Sequence, residues 1–220
     1  MDTLSMNEVT YEYKNKYQTV RALAGVSYSF KRGVFYAVVG KSGSGKTTLL
    51  SMLAGLDVPA SGDVMIGDTA IRGVDRDKYR LEHISVIYQS LNLFPLLTAV
   101  ENVMFPLEYK GTAKAEARRA AAEKLMSVGI GEELFNRLPS MLSGGEQQRV
   151  AIARALANKT EFILADEPTG NLDSENSAKI VRLLKELAKE ENLCVIVVTH
   201  DTAVSGEADV VLGIKDGMIE

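Results

Sequence analysis

The segment Gly40-Lys41-Ser42-Gly43-Ser44-Gly45-Lys46-Thr47 fills every fixed position of the pattern G-x-x-x-x-G-K-[ST]. Such a loop works only between a buried strand and a helix, and both flanks comply. Residues 34–39 (VFYAVV) form a short continuous apolar run, and residues 46–54 read as helix. Glycines let the backbone wrap tightly and aim N–H groups at phosphate oxygens, and the helix adds the positive end of its dipole. Lys46 is expected to reach the β- and γ-phosphates, and the Thr47 hydroxyl to ligate Mg²⁺. Thr48 completes the expected nucleotide contacts, so the chain is expected to bind ATP with Mg²⁺.

The remaining pattern suits a single α/β domain over residues 1–220. Residues 3–13 and 21–30 show partial apolar/polar alternation, the mark of half-exposed antiparallel strands. Further buried-strand candidates are 84–88, 161–165, 194–199 and 210–214, and helices are expected at 146–157 and 175–190, the latter with Ser174 as N-cap. Strands alternating with helices imply a mainly parallel sheet covered on both faces. Residues 98–138 are helical in pattern and free of strand signals. A helical subdomain is therefore expected to be inserted into a P-loop core, with approximately 1–90 and 140–220 as the catalytic core. The subdomain and the helix that follows it occupy approximately 91–158, the boundaries overlapping.

Composition narrows the setting. The net charge of −4 argues against a general nucleic-acid binder. One cysteine, Cys194, lies in an apolar run, so no internal disulfide forms and a buried thiol in a reducing cytoplasm is expected. No apolar stretch approaches the roughly 20 residues that cross a bilayer, and residues 1–9 carry no apolar signal core. Action at a membrane would need a separate partner. The last residues follow a glycine turn, which leaves room for a native chain extending beyond Glu220.

Residues 162–165 (FILA) run directly into Asp166 and Glu167. In a parallel sheet, ligands sit outside the carboxyl ends of the strands, so both acids would reach the rim that holds the phosphate loop. Asp166 suits the Mg²⁺ shell, and Glu167 is placed to polarise an attacking water as general base. An acidic pair after a strand is a weak signal alone and a strong one beside a phosphate loop.

Leu142-Ser143-Gly144-Gly145-Glu146 before a helix is a second anion-binding turn. It closely resembles the LSGGQ signature of ABC ATPases, with Glu146 where glutamine is commoner. The resemblance implies that two copies dimerise head to tail, so that Ser143, Gly144 and Gly145 of one cap the ATP held by the other. It also implies that Gln89 of the Q-loop links Mg²⁺ and the attacking water to the helical subdomain, and gives roles to Asp173 of the D-loop and to His200, a switch histidine facing the γ-phosphate. Asn171 departs from the alanine more usual in the D-loop. Tyr13, with Tyr11 as the alternative, matches the aromatic residue that stacks on adenine. His83 matches no motif and reads as structural or solvated.

Residues 89–103 and 165–173 are similar to the MacB/LolD branch of ABC ATPases, which includes the FtsE-type cell-division ATPases. That resemblance implies an ATPase on the cytoplasmic face of the membrane, powering a transmembrane permease subunit on a separate chain. The alternative is regulation of a membrane protein without transport. An ABC-type DNA-repair ATPase is disfavoured, because fewer than a hundred residues separate Thr47 from Leu142 and none form heptads. The apolar residues 91–97 beside Gln89 form either a seat for the permease or part of the subdomain core.

Overall fold

The computed structural model describes residues 3–14 and 16–220. Met1, Asp2 and Asn15 lie outside the described residues, and with them the first two positions of the polar N-terminal stretch. The chain opens with strands β1 (Thr3–Lys14), β2 (Thr19–Lys31) and β3 (Phe35–Val39), then helix α1 (Lys46–Leu53). The short strands β4 (Ser61–Ile66) and β5 (Thr69–Ala70) lead to α2 (Arg76–His83) and β6 (Ile84–Ile87). A helical stretch follows, with α3 (Ala99–Tyr109), α4 (Lys114–Ser127) and α5 (Gly144–Ala157). The chain then alternates through β7 (Phe162–Asp166), α6 (Ser174–Glu190), β8 (Cys194–Thr199) and α7 (Thr202–Glu207) to β9 (Val210–Lys215) and β10 (Met218–Ile219).

Two sheets result. One, of order β2-β1-β4-β5, pairs β1 antiparallel with both β2 and β4. The other, of order β10-β9-β3-β8-β7-β6, is parallel from β9 to β6 and antiparallel only at β10. This is the expected α/β architecture: an antiparallel N-terminal part, a mainly parallel sheet and a helical subdomain.

Period-two alternation sorts the parallel strands between two cores. Ile163 and Ala165 of β7 and Val195 and Val197 of β8 join a core with α3, α4, α5 and α6. Phe162, Leu164, Cys194, Ile196 and Val198 face the other way, toward α1 and the N-terminal sheet. Continuous apolar sequence is thus the signature of burial on both faces. Cys194 is a free, buried thiol, and burial pushes its pKa well above the ordinary range.

The helix ends follow local chemistry. Thr98 and Glu101 form a capping box at α3, and Ser143 and Glu146 form another at α5. One expectation is corrected. The N-cap of α6 is Asp173, whose carboxylate accepts from the Asn176 N–H at 2.9 Å, while Ser174 is the first helical residue. Aspartate caps at least as well as serine, and its position one residue earlier takes the cap. Of the two readings of His83, structural or solvated, the structure gives the first, its Nδ1 lying 3.2 Å from Glu161 just before β7.

Candidate active site

Because β3, β7 and β8 run parallel, their carboxyl ends share one rim. Val39 pairs with Thr199, and Asp166 with Val198. The loop 40–45 therefore leaves β3 beside the acidic pair leaving β7 and the histidine leaving β8.

The loop has the shape its glycines require. Gly45 sits at φ +108, and a Cβ there would meet the Ala22 carbonyl at 2.4 Å. Gly43 sits at φ +78 with nothing within 4 Å of where a side chain would start. Any other residue would be strained at that φ and would project into the space facing the loop. Gly45 caps α1 without a side-chain acceptor, which leaves first-turn N–H groups for an anion. Lys46 bridges the loop, its Nζ donating to the carbonyls of Gly40 at 2.8 Å and Lys41 at 3.0 Å.

An open pocket of about 760 Å³ gathers Tyr13, the loop residues Gly40 to Gly43, and Gly45 to Thr48 with Gln89, Asp166, Glu167 and His200. Ser44 belongs to the loop but lines its inner side, buried against the position of Gly40. Tyr13 is half exposed, stands edge-on to Tyr11 at 5.0 Å, and its hydroxyl lies 3.2 Å from the Thr48 hydroxyl. Tyr11 does not line the pocket, so the geometry favours Tyr13 of the two candidates.

The acids differ in environment. Asp166 has its pKa raised, first by burial and then by the neighbouring Glu167, against the opposing pull of the Thr47 hydroxyl and Lys46. Glu167 adopts left-handed backbone geometry at φ +45, held by its N–H bonded to the Val198 carbonyl at 2.9 Å. Its two carboxylate oxygens are separately engaged. Oε2 accepts from Thr199 Oγ1 at 2.9 Å, and Oε1 lies 2.6 Å from Nδ1 of His200. Thr199 is fully buried and was not anticipated; its position at the end of a strand of apolar neighbours was the available signal.

Hard oxygen donors suit Mg²⁺. The Thr47 hydroxyl and the adjacent carboxyl groups of Asp166 and Glu167 share this rim with Lys41 and Lys46, so the residues present fit a divalent cation.

Ser143, Gly144, Gly145 and Asp173 line no part of this pocket. The Ser143 side chain is bonded to the Glu146 N–H at 3.3 Å, and its own N–H donates to the Glu146 carboxylate at 2.7 Å. That bond holds the Glu146 carboxyl below its usual pKa. Glutamate therefore fills the glutamine position as an N3 capping residue. Asp173 is spent on capping α6, and Asn171, the departure from alanine, donates to the Gln89 carbonyl at 3.3 Å.

The sequence profile of the ABC transporter family matches residues 23–170. The chain belongs to the ABC transporter family. It is an ABC ATPase, an ATP-binding cassette with the family's fold. It is 40% identical over 217 residues to the ABC transporter ATP-binding protein YclH of Bacillus subtilis, covering 99% of this chain and 95% of that one. It is 42% identical to the macrolide export ATP-binding/permease protein MacB of Syntrophobacter fumaroxidans, covering all of this chain and 31% of that longer protein. The dimeric structure of the ABC transporter cassette MJ0796, a protein of Methanocaldococcus jannaschii, superposes with a TM-score of 0.91 at 42% identity, covering 99% of this chain and 96% of that one. A second dimeric MJ0796 structure is of a post-hydrolysis state bound to ADP and Pi, with a TM-score of 0.90. Among the described residues of the present cassette, no helix is long and apolar enough to cross a membrane.

Proposed function

We propose that this cassette is the motor of a transporter of the MacB/LolD type, binding ATP between two copies of itself and moving a permease on a separate chain. The observation that carries the catalytic part is the rim on which Lys46, Thr47, Asp166, Glu167 and His200 converge. Tyr13 stacks on the adenine, the loop amides and Lys46 hold the phosphates, and Thr47 and Asp166 would hold Mg²⁺. Bound there, the cation would offset charge on the β- and γ-phosphate oxygens. Glu167 takes a proton from water as its oxygen attacks the γ-phosphorus and the bond to the β-phosphate oxygen breaks. His200, bonded to the same carboxylate, orients that group toward the γ-phosphate.

The signature turn at Ser143 stands apart from its own pocket, which supports its use against the nucleotide of a second copy. The dimeric MJ0796 cassette and the fusion of cassette and permease in MacB support the same reading. The permease would dock at a groove of about 530 Å³ lined by Ile84, Phe94, Phe105, Tyr109 and Arg154, on the cytoplasmic face of the membrane. Of residues 91–97, Phe94 stands at the groove's edge. Leu93 packs on the helical core, while Leu96 is 86% exposed and Phe94 stacks on Phe105 at 4.5 Å beneath the Arg154 guanidinium. Buried Asn102 fixes that edge, donating to the carbonyls of Phe94, Leu97 and Thr98 and accepting from the Phe94 N–H.

Co-expression with candidate membrane proteins tests the proposal. Co-purification and stimulation of ATP turnover by a permease support it. A membrane partner that stimulates turnover but moves nothing in vesicles would favour FtsE-like regulation instead.

A further inference from the structure

Gln148 lies in the second turn of α5 and is 3% exposed, yet its Nε2 is buried without a hydrogen-bond acceptor. Buried amide donors in folded proteins are nearly always satisfied, so one that is not calls for a physical reason. Gln148 lines a cavity of about 210 Å³ between the start of α5, at Gly144, and loops carrying Gln89, Glu167 and Asn171. Gln89 and Glu167 also line the phosphate-loop pocket. These two residues therefore line both the nucleotide pocket and the cavity that Gln148 also lines. The Gln89 backbone is already tied to the far loop by Asn171, while its side-chain amide makes no hydrogen bond with a described residue.

We propose that Gln148 is a positioning residue for ATP hydrolysis: its Nε2 donates to Oε1 of Gln89 when α5 moves onto the loops, and so holds Gln89 at the reacting end of the pocket. Three features carry this. The donor lacks an acceptor in the present arrangement. The acceptor is an uncommitted amide on a residue that lines the same small cavity. The donor rides on the helix whose first turn is the signature, so whatever engages Ser143 shifts Gln148 with it. Signature engagement in one copy thereby reaches that copy's own catalytic rim through one side chain. The inference rests on the ATPase reading.

The test is steady-state ATP turnover by the intact cassette, with thermal melting of every variant. Gln148→Met fills the same volume without an amide. The expected result is a kcat roughly tenfold lower, with KM for ATP and Tm close to wild type. Gln89→Met should lower kcat at least as far, because Gln89's own contact at the reacting end is lost with the bond, and the double variant should fall no further than Gln89→Met, since Gln148 acts only through Gln89. A packing role would instead lower Tm and leave the two losses additive. Wild-type kcat in Gln148→Met, additive losses, or a raised KM at constant kcat each overturn the inference. Should the methionine variant not fold, Gln148→Glu keeps the length without the donor, and its kcat is read in the same way. Wild-type protein without ATP turnover would remove the ATPase reading itself, whereas normal turnover in a folded Gln148 variant removes this inference alone.

Discussion

His200 Nδ1 and Glu167 Oε1 lie 2.6 Å apart, joining the residue that follows β8 to the one that follows β7 at the phosphate-loop pocket. The histidine is three-quarters exposed while the carboxylate is largely enclosed, so the pair has one member turned toward a ligand and one toward the protein. Thr199 holds the other carboxylate oxygen. With both oxygens engaged, the carboxylate has a defined orientation before any water reaches it.

Glu167→Gln should therefore keep the shape and lose the base. The chemical step is expected to slow by about 10²–10⁴-fold while ATP still binds. If reopening needs hydrolysis, as the proposed cycle requires, the variant should accumulate as an ATP-bound dimer on size-exclusion chromatography, where wild type should dimerise only briefly. Normal turnover, or a saturated monomer, would remove Glu167 from the catalytic role.

Asp166 carries a cost in stability. Its folded pKa is raised above the unfolded value, so its contribution is complete only below about pH 4 and is lost as pH rises through the folded pKa. Asp166→Asn keeps an oxygen for the Thr47 hydroxyl and has no charge to bury. At neutral pH it should raise Tm while abolishing ATP turnover. Melting both proteins across pH 4 to 8 isolates the effect in the difference. A gap that narrows as pH rises contradicts it.

Tyr13→Ala should weaken ATP and GTP alike, because an aromatic–base stack is worth about 1–3 kcal/mol whichever base is present. That corresponds to roughly 5- to 150-fold in Kd. Titration with a fluorescent nucleotide reads it directly. Unchanged affinity would place the base elsewhere on the rim.

Ser143→Arg should leave ATP binding by the monomer close to wild type and prevent the ATP-dependent dimer of Glu167→Gln when the two are combined. The introduced cation would obstruct the second copy's nucleotide. Loss of monomer affinity would mean that the signature serves its own pocket.

Legibility in the sequence followed burial. β3, β7 and β8 were readable because both faces are covered, which leaves no polar residue to interrupt the run. The phosphate loop, the acidic pair and His200 were readable because each lies at the end of such a strand. Unread were β4 and β5, whose pairing with β1 is long-range, and α2, a mostly polar helix anchored through Tyr79, whose hydroxyl donates to the Leu53 carbonyl at 2.7 Å. Serine and aspartate cap equally well in sequence terms; that Asp173 rather than Ser174 reaches the Asn176 N–H depends on the backbone path through the loop. Asn102 and Gln148 are buried amides, the first bonded to the loop that precedes its own helix and the second without an acceptor, and no residue pattern around them distinguishes them from surface residues.

The separation of Ser143 from the pocket that Lys46 lines has a kinetic consequence. A site assembled from two copies obeys mass action, so turnover by free cassettes should climb faster than in proportion to protein concentration until dimers form at every encounter. A permease that seats two cassettes side by side replaces that dependence with proximity, at an effective concentration in the millimolar range for short tethers. On that arrangement the membrane partner governs the rate before it moves anything, simply by fixing how often the two halves meet.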